Sequence, residues 1–121
     1  MSFWRKKVIE HALDHDTRLH IDEQLAWIGR EPSNARPYYH LAQLYRMCGR
    51  QEEALGLLLE AVRLDGALAA AHVSLAEMHA VRGDYVAAWR HARMGEGHGD
   101  GAGVELLARH RIKEEGPERL P

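Results

Sequence analysis

The stretches LAQLYRMCGRQEEAL, residues 41–55, and LAEMHAVRGDYVAAW, residues 75–89, resemble one another and lie 34 positions apart. When 35–68 is aligned with 69–102, alanine, leucine and glycine recur at the same offsets. The identical pairs are Ala35 and Ala69, Leu41 and Leu75, Ala42 and Ala76, Gly49 and Gly83, and Ala54 and Ala88. A period of this length indicates one supersecondary unit that is used more than once and stacked on its own copy.

The apolar residues of the first copy recur at helical spacing, beginning with Tyr38, Leu41, Ala42 and Tyr45. The i, i+3, i+4, i+7 pattern is typical of an amphipathic helix, and strand-like alternation is absent from the sequence. The chain is therefore predicted to be all-α, with about seven helices. We expect them near 3–14, 18–30, 36–48, 51–64, 70–82, 85–95 and 102–113.

Glycine and proline mark the ends of these helices. Gly49 and Gly83 each follow a helical run, where a left-handed residue is favoured and glycine costs least. The stretch EPSNARP at 31–37 interrupts the chain with two prolines, and Ser33 or Asn34 can cap the next helix. Helices joined by such short turns must lie antiparallel, so we expect stacked helical hairpins.

The stretch GEGHGDGAG at 95–103 has glycine at every other position and predicts a flexible loop, a hinge in which Asp100 can cap the following helix. It lacks the preceding strand and the Lys-Ser/Thr pair of a phosphate-binding loop. The residues that pack the hairpins are small: Ala42 and Ala54 are expected on facing sides of two helices, which lets their axes approach closely.

Residues 35–68 resemble a tetratricopeptide repeat (TPR), a 34-residue pattern with Trp, Leu-Gly, Tyr, Ala, Phe and Pro at fixed offsets. The chain has Tyr38 for the Trp, Leu41-Ala42 for Leu-Gly, Tyr45, Ala54, Leu58 for the Phe, and Gly66 where Pro is usual. In the second copy, His72 and His79 replace the two aromatic residues. The resemblance implies a right-handed superhelix of stacked antiparallel hairpins.

On this resemblance the chain divides into four parts. Gly95 stands where the repeat usually has Ala, so the second helix of the second unit is expected to end early. The parts are a degenerate N-terminal helical hairpin at 1–34, a TPR unit at 35–68, a TPR unit with a shortened second helix and a Gly-rich loop at 69–102, and a terminal helix with a frayed tail at 103–121.

The resemblance also implies a binding groove, because the first helix of each unit lines the inner surface of the superhelix and holds a peptide or a partner's helix. The inner positions carry over to Arg36, Tyr39, Gln43, Arg46, Met47, Val73, Glu77 and Val81, and Arg5, Ile9 and Leu13 join them if the first unit keeps register. Apolar anchors in a groove suit an amphipathic helix, and the arginines favour acidic residues in that ligand.

Tyr39 is the expected central anchor of the groove, with its ring open to water in the free protein. Two good repeats are fewer than the roughly three expected for a stable solenoid. A homo-oligomer, or the terminal helix folded into the groove, is therefore an alternative to an external partner.

Nine histidines are the candidates for chemistry. His11 and His15 lie four apart on one helix face, which is a spacing that can hold a transition metal, although the glutamate of the metalloprotease motif is missing. The structural alternative is a polar helix with no metal. His72 and His79 occupy aromatic positions and are expected as half-buried rings between helices. His91 and His98 receive no role.

Composition limits the classes of function. A net charge of −2 gives no global basic field for nucleic acid, and no apolar run approaches a membrane span. The single cysteine, Cys48, fits a reducing compartment, so a cytoplasmic protein is expected. The sequence favours a non-enzymatic interaction or scaffolding module for a protein or peptide partner, without a cofactor. The alternative is a small histidine-rich protein that responds to metal or pH.

Overall fold

The computed structural model describes the backbone of residues 2–114 and the side chains of residues 14–114. This part of the chain contains helices and no β-strand, which confirms the all-α prediction. Residues 2–114 form six helices, where about seven were predicted for the chain. They are α1 (Ser2–Arg30), α2 (Ala35–Met47), α3 (Gln51–Leu64), α4 (Ala69–Val81), α5 (Tyr85–Gly97) and α6 (Ala102–Arg109).

The N-terminal region is one helix of 29 residues, so the hairpin predicted for 1–34 is wrong. Neither glycine nor proline occurs before Gly29, and the polar stretch around residue 16 does not interrupt the helix. His20 instead lies 3.6 Å from the carboxylates of both Asp16 and Glu23, at i,i+4 and i,i+3 spacing. Such pairs support a helix, which explains why α1 continues without a break.

Side-chain hydrogen bonds fix the start of α2 after the break between Arg30 and Ala35. The Asn34 side chain accepts a hydrogen bond from the Arg36 amide at 3.0 Å, which confirms it as the N-cap of α2. The Tyr38 hydroxyl donates to the Pro32 carbonyl at 2.8 Å and ties α2 to the segment that precedes it.

Four helices end in the same turn. After α2, α4 and α5 the turn places a glycine in the left-handed region, at Gly49 (φ 78°), Gly83 (φ 82°) and Gly99 (φ 101°). After α6 the same place is taken by Arg111 (φ 58°). In each turn the next amide reaches back five residues, as in the bond of 2.9 Å from Arg50 to the Tyr45 carbonyl. This is the Schellman arrangement, which satisfies the free carbonyls of a helix end.

Neighbouring helices pack on one another along the chain, and α6 contacts α4 as well as α5. Two hydrophobic clusters hold the stack together. The first lies among α2, α3 and α4 and consists of Ala35, Ala42, Ala54, Leu58, Ala61, Ala71, Leu75 and Met78. The second lies among α4, α5 and α6 and consists of Ala76, Ala88, Trp89, Ala92 and Leu107. Helix α4 contributes to both clusters and is therefore buried on two sides.

The glycine-rich stretch is only partly a loop, because α5 continues to Gly97 and α6 begins at Ala102. A Cβ added at Gly95 would lie 3.2 Å from the Asp100 carbonyl oxygen, and one added at Gly103 would lie 3.2 Å from the Ala92 Cβ. These two glycines therefore allow close helix packing. The predicted flexible loop over 95–103 is reduced to a connection at 98–101, and the Asp100 carboxylate accepts a bond of 3.0 Å from the Ala102 amide.

Candidate functional site

An open cavity of about 460 Å³ lies where the C-terminal ends of α2 and α4 approach α6. Its floor and walls come from four helices and from the segment that follows α6. The lining residues are Arg46, Glu77, Ala80, Val81, Tyr85, Leu106, Leu107, His110 and Ile112. A cavity of this size, lined by both apolar and polar side chains, falls within the size range of ligand-binding sites.

Polar side chains of α2 and α4 join at one end of this cavity. Gln43 Nε2 donates to Ser74 Oγ at 2.8 Å, and Arg46 Nη2 donates to Glu77 Oε2 at 3.2 Å. Arg46 Nη1 also reaches Gln43 Oε1 at 3.4 Å. Three predicted groove residues, Gln43, Arg46 and Glu77, are thus brought together, with Arg46 and Glu77 lining the cavity. Arg46 already has a carboxylate partner, so it is not an unpaired cation for an acidic ligand.

Val81 and Met47 are the most exposed large apolar side chains among the described residues, at 89 % and 75 %. Both belong to the predicted groove, and Val81 lines the cavity. The side chain of Arg36, at the other end of α2, is also exposed. Leaving such apolar surface in water has no folding advantage, which makes Val81 and Met47 candidates for contact with a partner.

Two predicted groove residues lie elsewhere. Tyr39 is half-buried, packs against the first hydrophobic cluster and meets the His40 ring edge-on at 5.4 Å between centroids. The expectation that its ring is open to water is therefore wrong. Val73 lies against α5, where its Cγ2 would be 3.3 Å from a Cβ at Gly95. Arg5, Ile9 and Leu13 lie outside the residues whose side chains are described.

The cavity also contains residues that the sequence did not indicate. Tyr85 begins α5, and Leu106, Leu107, His110 and Ile112 come from α6 and the turn after it. Helix α6 was expected to cover the last hairpin, and it does pack there, but it also forms one wall of the cavity. Its apolar spacing was visible in the sequence, whereas the side on which it packs depends on the turn at 98–101.

The wall formed by α6 continues into a basic segment. Arg109, Arg111 and Lys113 are exposed, and none of them forms an ion pair within the described part of the chain. The carboxylate of Glu114 is held by Arg93, with Nη2 and Oε1 2.6 Å apart. The Arg93 guanidinium holds the pKa of Glu114 below its usual range. This carboxylate therefore stays ionised and remains paired with Arg93. Three exposed basic side chains therefore lie next in sequence to His110 and Ile112, on α6 and in the segment that follows it.

The chain end at this wall is fixed by Trp89. Its indole Nε1 donates to the Ile112 carbonyl at 3.1 Å, and the Ile112 side chain packs against the second hydrophobic cluster. The guanidinium of Arg93 lies 5.2 Å from the Trp89 ring centroid. These contacts hold the segment after α6 in place, so the wall is preformed.

Four histidines form a second feature, at the contact of α4 with α5. Their rings follow one another in the order His79, His91, His72, His98, alternating between α4 and α5 with its C-cap residue, with centroids 5.6, 5.3 and 6.3 Å apart. The angles between successive planes are 6°, 27° and 18°, so each ring stacks on the next. We call this set the histidine ladder.

The sequence predicted half of the histidine ladder. His72 is buried with 3 % exposed and His79 is half-buried, which confirms both as rings packed between helices. His91 and His98 had received no role, because a partner seven residues away on one helix is visible in a sequence and a partner on the next helix is not. The signal available in the sequence was that histidine replaces the two aromatic residues of the second repeat copy, at His72 and His79.

The expectation of a polar helix without a bound metal at His11 and His15 stays a prediction. The His11 side chain lies outside the described residues, and His15 is exposed on α1. Within residues 14–114, no group of three histidine, cysteine, aspartate or glutamate side chains is arranged to hold a metal ion. No helix of the described chain is long and apolar enough to cross a membrane.

No family model matches the chain, and no curated protein is similar to it. Assignment of a function therefore depends on the residues and the geometry described above.

Proposed function

We propose that this chain is a non-enzymatic protein–protein interaction module of the TPR type, and that the cavity between α2, α4 and α6 binds an amphipathic helix or an extended peptide of a partner. The single observation that carries the proposal is the exposure of Val81, at 89 %, beside an open cavity of about 460 Å³. An apolar side chain of a partner can enter the cavity and cover Val81 and Tyr85 at its mouth.

Three further features support this function. The residues at 35–68 and 69–102 resemble a repeat family that binds peptides through the first helices of its units, and α2 and α4 occupy the places of those helices. Helix α6 and the segment after it form a preformed wall, which limits the entropy lost on binding. The exposed basic side chains of Arg109, Arg111 and Lys113, close in sequence to the cavity residues His110 and Ile112, favour a ligand with acidic residues next to its apolar anchor.

The resulting mode of recognition combines one apolar anchor with neighbouring carboxylates. Arg46 and Glu77 neutralise one another at the far end of the cavity, so attraction for a charged ligand comes from the α6 side. We therefore place the acidic part of the ligand beside α6 and its apolar anchor against Val81. A scaffold of this kind needs no cofactor.

Site-directed photo-crosslinking in the native cell tests the proposal. A photoreactive phenylalanine at position 81 should cross-link a partner protein, and the same group at position 59 should not. Leu59 is the matched control because it is also exposed, at 45 %, and lies on α3 away from the cavity lining. Equal cross-linking from both positions, or none from position 81, would contradict the proposal.

Substitutions provide the quantitative arm of the test. Val81→Asp should weaken capture of the cross-linked partner at least about tenfold, because it places a charge at an apolar contact. Leu59→Asp should leave capture unchanged, and both variants should fold, since both side chains lie at the surface. A partner that binds the Val81→Asp variant as well as the parent occupies another surface.

A further inference from the structure

The histidine ladder has no part in the cavity, and its hydrogen bonds define its protonation. His72 Nε2 lies 2.8 Å from the Gly66 carbonyl oxygen, and a carbonyl only accepts, so this nitrogen carries a proton. The His72 and His91 Nδ1 atoms are 3.1 Å apart, so one of them must donate to the other. With both rings neutral, His91 Nδ1 donates and His72 Nδ1 accepts.

The His72 and His91 rings can together accept one additional proton, but not two. A single cation can still share the proton between the two Nδ1 atoms. If both rings become cationic, each Nδ1 carries a hydrogen, and two donors face one another at 3.1 Å. Because His72 is buried, water cannot enter easily to separate them.

The surroundings do not compensate for positive charge on the ladder. Helix α4 presents His72 and His79 to His91, α5 contributes Arg90, the connection after α5 contributes His98, and the connection before α4 contributes the Gly66 carbonyl. Within the described residues, His20 on α1 is the histidine that has carboxylates in ion-pair range, and no ladder ring has one. Burial, followed by electrostatic repulsion from His72, His79 and Arg90, lowers the pKa of His91 to about 4.

We propose that the histidine ladder makes the contact between α4 and α5 acid-sensitive, so that this contact weakens as its rings are protonated. The ladder joins an α4 face to α5, and α5 with α6 forms the second hydrophobic cluster, so protonation acts on the half of the molecule that carries the α6 wall. The response requires neither a metal nor a partner, and it stands independently of the proposed binding function.

The sign of the response follows from linkage. In the unfolded chain His91 has an ordinary pKa of 6.5, and in the folded chain the value is about 4. Between these two pH values the unfolded chain binds more protons, so stability is lost as pH falls from about 6.5 toward 4. Measurements down to pH 5.0 capture much of this loss while most carboxylates remain charged.

Thermal unfolding between pH 7.5 and pH 5.0, in the presence of EDTA, tests the proposal. The melting temperature of the parent should fall by about 5 °C or more over this range. In His91→Gln the fall should be clearly smaller, because the amide can donate to His72 Nδ1 and does not titrate. His15→Gln, at an exposed histidine on α1, should follow the parent. Parallel curves for the parent and His91→Gln would overturn the proposal.

A direct measurement on the parent protein covers the case in which His91→Gln does not fold. In a ring-proton NMR titration, His91 should remain neutral at pH 5.0, and its signals should change together with those of His72 when it is protonated. A His91 ring that titrates near pH 6.5 while the amide signals of α4 and α5 stay unchanged would equally overturn the proposal. Either result is independent of whether Val81 contacts a partner.

Discussion

Arg111 shows, at the scale of one residue, how far the helix-end turns can be predicted. Gly49 and Gly83 were predicted as left-handed residues because each is a single glycine after a helical run, and their positive φ angles confirm this. Gly99 was not singled out as a left-handed residue, because several other glycines surround it in the stretch 95–103. At Arg111 there was no signal, because the residue is not a glycine and its turn lies beside a contact distant in sequence, the hydrogen bond from Trp89 to the Ile112 carbonyl.

Arg111→Gly should raise the free energy of unfolding by roughly 1 kcal/mol, because glycine adopts a left-handed conformation without the steric cost of a side chain. Arg109→Gly is the control, since the same change in the last turn of α6 should lower stability by a similar amount. Urea unfolding of the two variants and the parent measures both effects. A stability loss in Arg111→Gly would show that the arginine side chain contributes more than its backbone strain costs.

The ends of whole elements were predicted well where glycine or proline set them and poorly where packing did. Helix α3 begins and ends at the predicted residues, and α2, α4 and α5 differ by one or two. For α1 a polar stretch was mistaken for a break, and for α6 the apolar pattern continued to Ile112 although the helix ends at Arg109. Ile112 packs against the second cluster from the turn, so its position in the pattern did not require a helix.

A pair of glycine substitutions separates helix propensity from packing. Gly56→Ala in α3 should raise stability by roughly 0.5–1 kcal/mol, because alanine is the better helix former and nothing lies within 4 Å of the new Cβ. Gly103→Ala in α6 should lower stability by about 1–3 kcal/mol. Its Cβ would meet the Ala92 Cα at 3.3 Å and the Ala76 Cβ at 3.4 Å, and neither atom can move without its helix.

Chemical denaturation of these two variants gives opposite shifts of the midpoint if α6 is held by close contact with α4 and α5. A stabilised Gly103→Ala variant would mean that α6 can move away at little cost. In that case the cavity wall formed by α6 would not be preformed, and the argument for low binding entropy would fail with it.

For the whole molecule, the helix class and the neighbour packing followed from spacing alone, and the site followed only in part. Arg46, Glu77 and Val81, three of the predicted groove residues, line the cavity, and the face each occupies depends on one helix at a time. Tyr39 was misplaced because an aromatic ring gains more from covering the first cluster than from facing water. The α6 residues and the cross-helix histidines depend on how three helices meet, which no single stretch of sequence specifies.

Helix α4, which belongs to both hydrophobic clusters, has a consequence for the timing of amide exchange with deuterated water. Its hydrogen bonds can open only when both halves of the molecule separate from it, so its amides should exchange no faster than the whole chain unfolds. Amides at 14–20 of α1, where the side chains are mostly exposed, should exchange orders of magnitude sooner. Exchange followed by NMR at pH 7 measures both segments, and equal rates would contradict the two-sided burial of α4. If α4 exchanges last, it is the final structure of the protein to take up deuterium, and its protection reports the lifetime of the fold.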